Sequence, residues 1–114
     1  MSEVKTDLAR IKGAWIGRED HGILTSYLDL EYGEPGHKLG STGQGFGGYG
    51  LGGPYLAAWV EGCLAAVGVD RWDRLEGCWV WAEHEHTKVH AITGVVTNFT
   101  FRPEETWKLL EAAK

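Results

Sequence analysis

Residues 23–32 read ILTSYLDLEY, and their alternation decides the architecture: Leu24, Ser26, Leu28 and Leu30 fall on one side, Ile23, Thr25, Tyr27, Asp29 and Glu31 on the other. Period-two patterning of this kind describes a strand with one buried face. Upstream, ARIKGAWIG (9–17) alternates less regularly around Ile11, Trp15 and Ile16. The charged segment Arg18-Glu19-Asp20-His21-Gly22 between the two suits a turn, so the pair is expected to form an antiparallel hairpin. Gly33-Glu34-Pro35-Gly36 ends the second strand.

Downstream the period changes. From Pro54 to Val67 the apolar residues Leu56, Trp59, Val60, Cys63, Leu64 and Val67 recur three to four apart, which predicts a helix with Pro54 in its first turn and Gly68 as its stop. Asp70 is placed to cap a short helical turn in DRWDRLEG, with Asp73 in that turn. Gly77 releases the chain into CWVWAEHE and KVHAITGVVT, two expected strands joined through HEHTK, and Pro103 opens a terminal helix carrying Trp107 and Leu110. The order predicts an α+β fold: an antiparallel sheet packed by a central helix and a short C-terminal helix, one compact domain over residues 1–114.

Composition narrows the functional classes. Eleven Lys and Arg against sixteen Asp and Glu give a formal net charge of −5, which opposes extended contact with duplex nucleic acid or an acidic membrane. Cys63 and Cys78 are too few to staple the chain and read as reduced, structural thiols. MSEVKTDLARIKGAW lacks the apolar run of a signal peptide, so the expectation is a cytoplasmic protein. Six tryptophans exceed what so small a core readily buries, which favours a homo-oligomer.

Gly40–Gly53 holds eight of the seventeen glycines, interleaved with Gln44, Phe46 and Tyr49. It lacks the Lys and the G-x-x-x-x-G-K-[ST] spacing of a phosphate loop. Its glycines allow backbone amides to approach an anion, while Phe46 and Tyr49 offer flat contacts and Gln44 both donates and accepts. A tight, bulged strand whose aromatics enter the core accounts for the same residues. Arg18 and His21 could hold a phosphate or simply decorate a solvated turn. Asn98-Phe99-Thr100-Phe101-Arg102 offers an amide, rings and a guanidinium complementary to a nucleotide, or a strand end anchored by aromatics. His84, His86 and His90 could converge on a metal, but the spacing matches no metal motif, and a polar hairpin without metal or cofactor is the preferred reading.

EDHGIL entering a strand, GQGFGGY, a helix, AEHEHTKVHAI and a final NFTF together resemble small proteins of phages and prophages, in particular the Thoeris anti-defence family that sequesters cyclic ADP-ribose signals. The resemblance runs from about Ile11 to Arg102, with GQGFGGY its distinctive part. It implies binding of a cyclic adenine-containing nucleotide without turnover, in pockets where protomers meet, in the cytoplasm of the infected bacterial host. On that reading Phe46 or Phe99 stacks on adenine, with Gln44 and Asn98 reading polar edges or ribose. Arg18 or Arg102, with the amides of Gly45 and Gly47, takes the diphosphate; His21 and Tyr49 complete the candidate set. EPGHKLGST lengthens the glycine region ahead of GQGFGG and leaves its pocket open to revision. A phage inhibitor that binds a host defence protein through Trp79 or Trp81, and a metal-assisted phosphodiesterase built on the histidines, are the competing expectations.

Overall fold

The computed structural model describes residues 4–18, 22, 24–32, 44–47, 53–85 and 88–112. Among them the strands are β1 (Lys5–Arg18), β2 (Leu24–Tyr32), β3 (Gln44–Gly47), β4 (Trp79–Glu85), β5 (Lys88–Gly94) and β6 (Thr100–Phe101). The helices are α1 (Gly53–Val67) and α2 (Pro103–Ala112), with a 3-10 turn at Trp72–Arg74 between α1 and β4. All strand pairs are antiparallel, in the order β3-β2-β1-β4-β5-β6, so the α+β architecture with a central and a C-terminal helix holds. No helix among the described residues is long and apolar enough to cross a membrane.

β1 is the spine, and its sequence explains why its alternation looked irregular. Its first half, Lys5–Arg10, pairs with β4, while Ala9–Arg18 pairs with β2. The β2 register skips Lys12 between the pairs Ile11↔Leu30 and Gly13↔Asp29, a one-residue bulge. The core face therefore runs Ala9, Ile11, then Ala14, not Gly13, against Leu30 and Leu28 of β2. Bulges sharpen strand twist, and the sheet curls far enough that β3, at one end of the strand order, lies against β5.

α1 fills the curl. Trp59, Cys63, Ala66 and Val67 are buried with Ile11, Leu28, Leu30, Val80, Ile92 and Phe101, and Leu56, Val60 and Leu64 are half-buried. Burial of each large side chain contributes about 1.5–3 kcal/mol before the entropy of ordering is set against it. The helix stops as expected: Gly68 adopts φ +89°, and the N–H groups of Gly68 and Val69 both donate to Leu64 O at 2.8 and 3.2 Å. Two other glycines allow close approach. A Cβ on Gly62 would lie 2.3 Å from the Phe101 ring, and one on Gly94 would lie 1.7 Å from Ala66 O.

Two expectations need correction. The 3-10 turn is preceded by Arg71 with no side-chain cap, so Asp70 does not cap it; Asp73 instead takes two hydrogen bonds from Arg71, at 3.0 and 2.6 Å. β5 ends at Gly94, not in VVT: Val95–Thr97 form a turn in which Val96 is 89% exposed, because Gly94 must meet the end of α1. The chain then reverses through Asn98 (φ 60°) into β6, a strand that two residues are too few to announce by alternation. Cys63 and Cys78 are both free thiols, Cys63 buried and Cys78 half-buried, with the Cys78 thiol donating to Arg74 O at 3.2 Å.

Candidate functional site

The described candidate residues fall into four places. Arg18 ends β1, exposed, opposite Leu24; His21 and Tyr49 lie outside the described residues. Gln44, Gly45, Phe46 and Gly47 form β3, hydrogen-bonded to β2 through the pairs Leu30↔Gln44, Asp29↔Gly45, Leu28↔Phe46 and Tyr27↔Gly47. β3 is an outer strand of the sheet, so alternate N–H groups point away from β2. The glycine segment thus contains an extended piece at Gln44–Gly47.

Asn98 and Phe99 sit at the C-terminal end of β5. Asn98 N donates to Gly94 O at 2.9 Å and Gly94 N donates to Phe99 O at 3.0 Å, closing a tight reversal. Thr97 fastens this turn to α1: its hydroxyl donates to Ala66 O at 2.6 Å and accepts from Phe99 N at 3.1 Å. The left-handed backbone accounts for an asparagine at position 98 without a ligand, and Phe99 is 49% exposed. Because β3 lies against β5, the curl brings the glycine strand to the strand that carries this turn.

Arg102 is placed differently from expectation. Its guanidinium donates two hydrogen bonds to the Glu83 carboxylate, at 2.5 and 2.7 Å, a fork-on-fork pair from the start of α2 to β4. Hydrogen bonding to Arg102 holds the Glu83 carboxyl below the usual carboxylate range and raises Arg102 in turn. The pair walls a cleft of about 350 Å³ that also involves Glu85, His90, Glu105 and Lys108. Carboxylates 83, 85, 104 and 105 outnumber the cations Arg102 and Lys108 there, which opposes a diphosphate in this cleft. Glu83 was not recognised as the partner because it lies nineteen positions away and the sequence gives no register between β4 and α2.

His84 and His90 take separate carboxylate partners. His84 Nε2 meets Asp7 Oδ2 at 2.7 Å, His90 Nε2 meets Glu85 Oε1 at 2.5 Å, and His86 lies outside the described residues. Among the described residues no group of three His, Cys, Asp or Glu side chains is placed to hold a metal ion. Trp79 and Trp81 share the outer face of β4, 50% and 43% exposed, with Leu8 of β1 directly opposite Trp81 and 41% exposed. Comparison with protein-family models, curated proteins and solved structures finds no match for the chain.

Proposed function

We propose that this protein is a phage- or prophage-encoded anti-defence protein that binds a cyclic ADP-ribose-type nucleotide and holds it intact in the cytoplasm of the infected host. The observation that carries the reading is the return of β3 against β5, the strand that leads into the turn carrying Asn98 and Phe99. The outward N–H groups of β3 suit an anion, and Arg18 is an exposed cation at the end of β1. Arg102 leaves the phosphate-binding set, because taking a diphosphate would strand the Glu83 carboxylate. Sequestration requires no general base; it requires slow release from several directional contacts enclosed by a second subunit. The half-exposed Leu8, Trp79 and Trp81 offer that subunit an apolar surface.

The test is retention. The purified protein is incubated with cyclic ADP-ribose isomers and cyclic oligonucleotides, freed of unbound ligand, denatured, and the released species weighed by mass spectrometry. An intact cyclic ADP-ribose species is the expected result. A changed mass points to turnover, and no retained species refutes the proposal. In that last case the tryptophan patch favours the second reading, direct binding of a host defence protein.

A further inference from the structure

The register of β1, β2 and β3 places a second set of groups together that alternation alone did not single out. On the face opposite the core, three successive rows run Gly13↔Asp29↔Gly45, Trp15↔Tyr27↔Gly47 and Gly17↔Thr25. In an antiparallel ladder, directly paired residues project to the same side, so one aromatic pair and one carboxylate stand among four glycines. The Trp15 and Tyr27 ring centroids are 5.5 Å apart with planes tilted by 33°.

Gly17 sets the pose of the indole. A Cβ there would lie 3.0 to 3.5 Å from three atoms of the Trp15 ring system, so the indole lies over the bare backbone of this strand rather than standing on end. Trp15 remains 37% exposed. On the other flank, among the described residues, a Cβ on Gly13 would meet only Asp29 Cβ, at 4.0 Å, which leaves room beside the carboxylate. Gly45 brings no side chain to the opposite flank. Asp29 is half-buried, and its carboxylate has no hydrogen bond or ion pair to another described residue. The nearest ion pair, Arg10 with Glu31 at 3.5 Å, is self-contained one row away.

We propose that this shelf is a purine seat: the base stacks on Trp15 beside Tyr27, and Asp29 accepts from its exocyclic amine over the space beside Gly13. The proposal rests on the nucleotide reading above and names where its adenine sits. The chemistry selects the occupant. An indole face attracts any flat ring, but a carboxylate that only accepts selects a ring edge bearing N–H donors, and the space beside Gly13 leaves room for the plane of a bicyclic base. β3, whose outward N–H groups suit phosphate, is paired to the same rows, so base and anion sites share one ladder. Phe99, the base-stacking alternative, belongs to the turn beyond β5.

Binding of cyclic ADP-ribose is measured by calorimetry for the full chain and for Gly13→Leu, Trp15→Leu and Asp29→Asn. Adenosine and inosine are titrated by NMR on the Trp15 indole N–H. Gly13→Leu fills the shelf without touching the core and without left-handed backbone strain, so a cooperative urea transition in this variant separates blocked binding from lost folding. The expected result is at least a tenfold loss for Gly13→Leu and Trp15→Leu. About a tenfold preference of the parent chain for adenosine over inosine is also expected, abolished in Asp29→Asn. If the parent chain binds cyclic ADP-ribose and both Gly13→Leu and Trp15→Leu bind it equally well, the seat is overturned and sequestration stands. If adenosine shifts the Trp15 resonance but cyclic ADP-ribose is not bound, the seat stands and sequestration falls. Binding of neither overturns both.

Discussion

Replacing Gly62 with alanine sets two effects of known size against each other. In a helix interior the substitution favours the helix by about 1 kcal/mol through reduced backbone entropy of the unfolded chain. Against it stands Phe101, 4% exposed, three of whose ring atoms lie 2.3, 2.4 and 2.5 Å from the place the new methyl would occupy. Carbon atoms rest about 3.5–4.0 Å apart, so the ring must retreat by about 1 Å or more. It has nowhere soft to go, since Phe101 is paired to Ile92 of β5, which is fully buried. Overpacking of a filled core costs about 1–3 kcal/mol and here adds the partial uncovering of a phenyl ring. The expected net effect is a destabilisation of about 1–2 kcal/mol, a fall in the urea midpoint of about 0.5–1 M. A cycle with Phe101→Leu isolates the contact: if the clash is real, the double variant recovers at least about 1 kcal/mol relative to the sum of the singles. A Gly62→Ala protein that gains stability, with additive behaviour in the cycle, would refute the packing of Phe101 on this helix position.

Other outcomes follow from the same coordinates. Gly94→Ala places a methyl 1.7 Å from Ala66 O, against backbone at a helix end, and is expected to unfold the protein or lower its thermal midpoint more than Gly62→Ala does, as read by circular dichroism. Glu83 has its carboxyl depressed by Arg102, so its contribution is present above the unfolded value of 4.5 and is lost as pH falls through the lower folded value. The stability gap between the parent and Glu83→Gln, at most about 1 kcal/mol for so exposed a pair, should close on acidification; a gap unchanged between neutral and strongly acidic pH contradicts the pairing. Burial pushes the Cys63 thiol up, so alkylation of the native protein at mildly basic pH should label Cys78 first and reach Cys63 only on unfolding, with equal labelling as the contrary result.

Much of the fold was legible because its signals are local. Leu28 and Leu30 announce the buried face of β2, the apolar spacing from Trp59 to Val67 announces α1, and Gly68 ends it where a left-handed residue is needed. What escaped depends on partners distant in sequence. The Lys12 bulge is defined only by β2, the end of β5 by the Gly94 contact with Ala66, and the pairing of Arg102 by a glutamate on β4. The candidate site divided the same way: Gln44–Gly47 could be recognised as unusual from composition, whereas Trp15, Tyr27 and Asp29 form a group only once the bulge has fixed which residues share a face.

Lys12 bends the spine while taking no part in the β2 pairing. Removing it would leave Ile11↔Leu30 and Gly13↔Asp29 as consecutive pairs, every other partner unchanged and no side chain turned to the opposite face. The bend of the spine would relax. A second skipped residue, His90 between the pairs Glu83↔Ala91 and His84↔Val89, bends the β4–β5 ribbon in the same way, so the curvature of the sheet is carried by inserted residues rather than by the side chains that line its faces.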